Sequence, residues 1–458
     1  MTEPESPRRE EDAHALDPDR VEAIVEAVEA EDAPLLDALM EPLHAADIAD
    51  LLEQIGPAER QALIRLWPGG IDGDILSELG EGVREEVIEA LPQDVLANAV
   101  RELDSDDVVD IIEDLEEPQQ RQVLDALDDA DRVAVEQALS YPEYTAGRLM
   151  QREVVTAPED WTVGHAIDFL RNEEWLPDQF YHVVLIDPRH RPTGYVALGK
   201  MLASRRDKQL SEITEDSYRT IPATQSQEDV AYAFNQYHLI SAPVVDADGR
   251  LVGVITIDDA MSVLEDEAEE DILRLGGVGD ESLSDGVLDT VRLRFPWLFV
   301  NLIATNLSAL VIGHFEGAIA QIVALAAIMP IIASMGGNTG TQTLTIAVRS
   351  LATKDLTSSN AWRVVRRELL VGMTNGIIFA TLMASVGWLG YGSALLGGVI
   401  AAAMVINLIV AAIAGTLIPL TLNRLGLDPA LASGTFVTMT TDAVGFFSFL
   451  ALASAVLL

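Results

Sequence analysis

The sequence predicts a multidomain chain: an all-α superhelical domain on the cytoplasmic side, an α/β segment made of a duplicated unit, and an all-α domain of five membrane spans. Three observations carry this reading. Charge is segregated along the chain, the spacing of apolar residues changes twice, and no charged residue occurs from 369 to 423.

Of the 74 acidic and 29 basic residues, only five and seven respectively lie from Arg294 onward. The 293 residues before it therefore carry a net charge of −47, which repels nucleic acid and anionic lipid and concentrates cations. A cationic ligand is the expected partner and nucleic acid is not; a solvated acidic surface adapted to salt is the alternative. The chain has no cysteine, which excludes disulfides, thiolate metal sites and cysteine nucleophiles. Its first twenty residues lack the apolar core of a secretory signal, so the amino-terminal half is expected in the cytoplasm.

Residues 1–18 read as a disordered acidic tail. From 19 to 140 apolar positions recur at helical spacing, as in Val21, Ile24, Val25 and Val28, then Ile48, Leu51, Leu52 and Ile55. The stretch DIADLLEQIGPAERQALIRL, from Asp47, aligns with DVVDIIEDLEEPQQRQVLDAL, from Asp107, with one inserted residue. Helix pairs stacked into a small superhelix would produce such a repeat.

Between 141 and 264 the texture changes to short β-branched runs separated by helical stretches. LIDPRHRPTGYVALGKML (185–202) aligns without a gap with VVDADGRLVGVITIDDAM (244–261), placing Asp187 on Asp246 and Gly194 on Gly253. The segment resembles a tandem pair of CBS domains. In that family a Thr-x-x-Asp after the last strand holds the ribose of an adenine nucleotide. Thr256 and Asp259 fit this pattern, while Ala197 and Lys200 stand in the first copy. The resemblance implies ATP or another adenine nucleotide as a ligand; the alternative is that Thr256 and Asp259 only cap the next helix. Residues 265–293 follow as an acidic connecting, plug-like segment, with the helical stretch ending at Gly276 and Gly277.

From 294 to 458, apolar stretches near 295–314, 318–335, 370–390, 394–422 and 431–457 are each long enough to cross a hydrocarbon core. The loops after the second and fourth hold Arg349, Lys354, Arg363, Arg366, Arg367 and Arg424, and those after the first and third hold no base. Retention of bases in the cytoplasm places Leu458 outside it. Asp442 is the one acid expected within a span, and such a carboxylate marks an ion or proton path unless neighbouring threonines satisfy it. In PIIASMGGNTGTQTLTIAVRSLATKDL (330–356), Pro330 and the glycines are expected to disrupt the helix and free carbonyls beside Asn338, Thr339, Thr341, Gln342 and Thr343. Close helix packing through small residues is the alternative use of the same glycines.

This order of domains, with GGNTGTQ (336–342), RSLAT (349–353), LDPA (427–430) and TTDAVGF (440–446), resembles the MgtE family of magnesium channels over nearly the whole chain. The resemblance implies a homodimer in the lipid of the inner cell membrane, with Mg²⁺ as both substrate and regulator. It implies an ion path at Asp442, Thr438, Asn338, Thr339, Gly336, Gly337 and Gly340. It further implies metal-sensing acids at Asp106, Asp110, Glu228, Asp259, Glu267, Glu270 and Asp271, although His238 and Ser262 stand where members commonly carry acids. A cation-coupled (Na⁺ or H⁺) divalent metal exchanger and a transport-inactive membrane sensor are the alternatives. No nucleophile–base set or phosphate loop is visible, so no enzymatic activity is expected.

Overall fold

The computed structural model describes residues 16–458 apart from 114, 116, 174, 178, 216, 217, 280–285 and 432. Residues 1–15 of the expected tail and 280–285 of the expected connecting segment therefore lie outside the described residues. The chain divides into two compact units, Met1–Glu265 and Asp266–Leu458.

The first unit opens with short helices: α1 (Pro18–Glu29), α2 (Ala33–Met40), α3 (Ala45–Gln54), α4 (Pro57–Leu66) and α5 (Gly73–Glu78). They continue as α6 (Glu81–Ala90), α7 (Gln93–Arg101), α8 (Ser105–Glu113), α9 (Glu117–Ala126) and α10 (Asp129–Ala138). Proline in the first turn of α1, α2 and α4 suits helix starts, where the missing N–H has no intrahelical acceptor. Asp17, Asp32 and Asp72 accept backbone N–H groups at the starts of α1, α2 and α5. Alternate faces of these helices meet in one apolar core that includes Ile24, Leu51, Leu63, Leu76, Ile111 and Val123.

The helical repeat is visible in hydrogen bonds. Arg60 of α4 donates Nε to the Leu52 carbonyl at 2.7 Å and Nη2 to the Ile55 carbonyl at 3.2 Å, satisfying the open end of α3. Gln120 of α9 does the same for Ile112 and Leu115 at the end of α8, at 3.0 and 2.9 Å. Each position is displaced by sixty residues, so Arg60 corresponds to Gln120 and buried Leu63 to buried Val123. The inserted residue expected from sequence is thus unnecessary: aligning the two prolines shifts the pairing by one, whereas carbonyl capping fixes the helical register. Arg84 of α6 repeats the device on Leu79 and Ser77. The buried charges of Arg60 and Arg84 are answered across the stack by Glu86 and Asp110.

After α11 (Ala146–Leu149), two three-stranded sheets follow, with orders β1-β2-β3 and β4-β5-β6. The first holds β1 (Thr156–Pro158), α12 (Val163–Asn172), β2 (His182–Ile186), β3 (Pro192–Ala197) and α13 (Leu198–Ala203). The second holds β4 (Ile221–Pro222), α14 (Gln227–Tyr237), β5 (Ser241–Val245) and β6 (Leu251–Thr256). In each sheet the first pair is parallel and the second antiparallel, with an irregularity at Leu185/Ile186 and again at Val244/Val245. Asp187 accepts from the backbone of Arg189 and Arg191 at 2.8 and 2.9 Å, and Asp246 from Asp248 and Arg250 at 2.9 and 2.8 Å. The aspartates matched by sequence therefore build the same turn twice. His182 Nδ1 and the Ser241 hydroxyl, 2.6 Å apart, join the two copies.

Helix α15 (Ile257–Gly276) leads into the second unit. Gly277, at φ +74°, ends it in the left-handed conformation, letting the Val278 N–H reach the Leu273 carbonyl at 3.1 Å. Then come α16 (Val287–His314), α17 (Glu316–Gln321), α18 (Ala324–Ala352), α19 (Ala361–Tyr391), α20 (Ala394–Arg424) and α21 (Ser433–Leu457). Among the described residues four helices are long and apolar enough to cross a membrane: Thr290–His314, Ala361–Tyr391, Ala394–Arg424 and Gly434–Leu457. The chain is thus a multi-pass membrane protein. The expected second span, 318–335, is cut at Ile322 between α17 and α18, and the polar run from Asn338 lowers the hydropathy of α18. Helix α20 is the apolar centre of this unit: Ile400, Ala403, Met404 and Leu408 pack with Ile328, Ile332, Phe449 and Leu450.

Candidate ion path and acidic sensor

Helix α18 runs unbroken through Gly336, Gly337 and Gly340, which corrects the expectation that this segment is disrupted and frees its carbonyls. In a membrane the helical hydrogen bonds have no competing water, and Pro330 near the N-terminal end removes only the donor for the Ala326 carbonyl. Two of the glycines serve contact instead. A Cβ at Gly340 would stand 2.5 Å from Val437 Cγ1, and one at Gly415 of α20 would stand 2.7 Å from the Gly340 carbonyl oxygen. Gly336 meets Asn407 of α20 in the same way. Gly337 has nothing within 4 Å of such a Cβ.

Asn338, Thr341, Gln342 and Thr345 are exposed and fall on one face of α18 by their three- and four-residue spacing, with Thr339 half-buried nearby. On α21, Thr438 is exposed and Asp442, one turn later, is half-buried. The threonines next to Asp442 do not satisfy it. Thr440 donates to the Phe436 carbonyl at 2.8 Å and Thr441 to the Thr438 carbonyl at 3.0 Å. Among the described residues no hydrogen bond or ion pair reaches the Asp442 carboxylate. Glu368 is also buried within α19, although the sequence placed the span from 370.

In the first unit the acids gather at the start of α8. Asp106 is buried, and its carboxyl is pushed well above the usual range by burial first and then by Asp259, Asp107, Asp104 and Glu153. Asp107 is pushed up to about 7 by burial, with Asp259, Asp104, Asp110 and Asp74 adding repulsion. Asp259 rises to about 6, again through burial first, while its hydrogen bonds from Thr256 oppose the shift. Thr256 donates its hydroxyl to Asp259 at 2.5 Å and its N–H at 3.2 Å, so this pair caps α15 and belongs to the acidic group at once. Docking of α8 onto the CBS segment holds the acids together: the Ser105 hydroxyl donates to Glu153 and accepts from the Arg152 N–H, both at 2.8 Å.

Of the sequence-predicted sensor acids, Asp106 and Asp259 are thus brought together. Asp110 is held by Arg84 at 2.8 Å, and Glu228 is exposed in the first turn of α14. Glu267, Glu270 and Asp271 lie on the part of α15 that belongs to the second unit. There Arg274 pairs with Glu270 on its own helix and with Asp428 in the loop after α20. Leu275 packs with Leu344, Val348, Ala430 and Val437, fastening this helix end to α18 and α21. Sequence reasoning missed Asp107, Asp104, Glu153 and Arg274; the run Asp104-x-Asp106-Asp107 was the available signal for the first two. Among the described residues no group of three or more His, Asp or Glu side chains is arranged to ligate a metal ion. The acids are close enough to repel one another, yet do not form a closed cage.

The intracellular N domain of the MgtE family matches residues 43–144, the CBS domain matches 146–205 and 210–266, and the family's divalent cation transporter domain matches 329–452. The magnesium transporter MgtE of Enterococcus faecalis is 33% identical over 321 residues, covering 70% of this chain and 71% of that one. The chain belongs to the MgtE family. A second MgtE magnesium transporter, from Thermus thermophilus, is 33% identical over 327 residues, 70% of this chain and 72% of its own. The crystal structure of the cytosolic domain of the Mg²⁺ channel MgtE in complex with ATP is similar at a TM-score of 0.50 and 28% identity, over 53% of this chain and 99% of that one.

Proposed function

We propose that this MgtE-family chain is a magnesium channel or transporter of the cell membrane, gated by intracellular Mg²⁺ at its acidic domains. The observation that carries the reading is a polar surface in apolar company. Asn338, Gln342 and Thr438 are exposed on helices of the membrane unit, and the Asp442 carboxylate has no donor among the described residues. Such groups are too costly to leave against lipid and call for water, a cation or a second protein surface. A hydrated Mg²⁺ ion suits them, because it sheds water reluctantly and takes few carboxylates with neutral oxygens around them.

The homodimer expected from the family resemblance would cover this face of α18 with its symmetry mate and put two Asp442 carboxylates beside one path. Helix α18, at 29 residues, is about 43 Å long at 1.5 Å per residue and serves as the fifth span. With the basic loops retained inside, five spans leave the amino-terminal half in the cytoplasm and the carboxyl terminus outside. Gating follows from the acidic group. Asp106, Asp107 and Asp259 repel one another when uncompensated, and bound Mg²⁺ draws them together and favours a compact, closed state. Glu267, Glu270, Asp271, Glu228 and Asp110 contribute further weak sites by the family pattern. ATP or another adenine nucleotide binds the CBS pair in this reading, which rests on the ATP complex of the similar cytosolic domain. Thr256 and Asp259 would then exchange their mutual hydrogen bond for the ribose.

The test is Asp442→Asn in cells that lack other Mg²⁺ uptake. Growth rescue in low Mg²⁺ disappears while the protein is still found in the membrane. Full rescue by the variant removes Asp442 from the ion path.

A further inference from the structure

Asn407 lies in the middle of α20, the most apolar helix of the membrane unit, and is completely buried. Its amide Nδ2 donates to the Ile332 carbonyl of α18 at 2.8 Å, whereas Oδ1 has no hydrogen-bond partner among the described residues. The orientation of the amide is fixed, because a flip would set its oxygen against the Ile332 carbonyl oxygen. A glycine from another helix stands on each side. A Cβ at Gly336 would lie 2.2 Å from Nδ2 and 3.0 Å from Oδ1. At Gly445 of α21 the same distances would be 2.8 and 3.2 Å. Neither glycine can carry a side chain while the amide keeps its place.

The two glycines sit next to the residues that matter. Gly336 is two positions before Asn338 on α18, and Gly445 is three after Asp442 on α21. We infer that Asn407 is a positioning residue of the ion path: its amide, socketed between Gly336 and Gly445, sets how α18 and α21 cross and so where Asn338 and Asp442 stand. Gly336 is then a glycine to receive this amide, not to line the path. The bond to Ile332 is of the kind that joins membrane helices, but a contact serving only that end has no use for a buried Oδ1 left without a partner, which costs the desolvation of that group. The inference rests on the assignment of Asp442 to the ion path.

A double-mutant cycle with Asn407→Ala and Gly336→Ala in the full-length protein tests it, read both by melting temperature in detergent and by uptake of Mg²⁺ and Co²⁺. Gly336→Ala alone lowers the melting temperature and cuts Mg²⁺ flux about tenfold or more, as expected when a transition-state geometry is lost. In the Asn407→Ala background the same change has little further effect on either. Asn407→Ala itself alters the Mg²⁺:Co²⁺ flux ratio by about threefold or more, a readout that loss of stability alone does not move. Gly445→Ala provides a second arm should Gly336→Ala fail to insert, and restoration of insertion by Asn407→Ala also supports the socket. Additive effects in both readouts overturn the proposal, and coupling in melting temperature with an unchanged flux ratio overturns the positioning role. Full transport by Asp442→Asn would instead defeat the ion-path assignment and leave the coupling in melting temperature intact.

Discussion

Replacing Asp107 with asparagine should stabilise the Mg²⁺-free protein, an unusual outcome for a partly buried polar residue. The carboxyl group is raised from its ordinary 3.8 to about 7, chiefly by burial and then by the charges of Asp259 and Asp104. That difference corresponds to about 4 kcal/mol. Solvent access to a half-buried group and the sharing of repulsion with Asp259 reduce the expected gain to about 2–3 kcal/mol at pH 8. The sign follows from proton binding. Between pH 3.8 and about 7 the folded protein holds a proton that the unfolded chain has released, so wild-type stability falls as pH rises through that window. Asp107→Asn removes this fall, giving its full gain above pH 7 and less than half of it at pH 5. Thermal unfolding of the full-length protein in detergent and chelator, followed at several pH values, measures it. For a unit of this size the transition of the first unit should rise by about 4–10 °C at pH 8, and the stabilisation that the proposed gating expects from added Mg²⁺ should be smaller than in the wild type. An unchanged transition at pH 8, or an equal shift at pH 5 and pH 8, refutes the account of the acidic group as a set of uncompensated charges.

In the proposed gating, Mg²⁺ binding displaces protons from Asp107 and Asp259, so inhibition of transport by Mg²⁺ should weaken by about tenfold on lowering the pH on the side of the acidic domains from 8 to 6, read in flux assays on inside-out vesicles. Arg274→Ala leaves Glu270 and Asp428 facing each other without their shared guanidinium, and should make transport less sensitive to cytoplasmic Mg²⁺ in the same vesicles; unchanged sensitivity dissociates this contact from gating. Gly415→Ala drives a methyl group against the Gly340 carbonyl and Thr343, and should destabilise the membrane unit by about 1–3 kcal/mol of overpacking, read as a lower melting temperature, while Gly337→Ala at an open position should not.

The duplicated β-unit was legible to the residue, because a turn that binds its own backbone through Asp187 or Asp246 needs that side chain at a fixed distance from both strands. The helical repeat was legible in outline but one residue out of register over its second half. Its register is set by Arg60 and Gln120 reaching the carbonyls of a neighbouring helix, and that requirement leaves no fixed residue type behind. The glycines of 336–340 were the harder case: glycine weakens a helix in water and tightens a helix pair in lipid, and the facing residues Asn407, Gly415 and Val437 decide between the two. Asn407 itself carries a signal in the sequence, as an amide within the uncharged stretch from 369 to 423.

By itself the sequence determined what local chemistry and periodicity can dictate: the acidic helical half, the two CBS copies, the apolar helices and the isolated Asp442. These follow from hydrophobic spacing, turn residues and the cost of charge in lipid, each a property of a short stretch of chain. Only the tertiary structure decided which acids share one space, that α18 stays helical through its glycines, and that Asn407 lies between Gly336 and Gly445. Those outcomes depend on groups far apart in sequence meeting where water is excluded, and a desolvated charge or amide is governed by its neighbours in space.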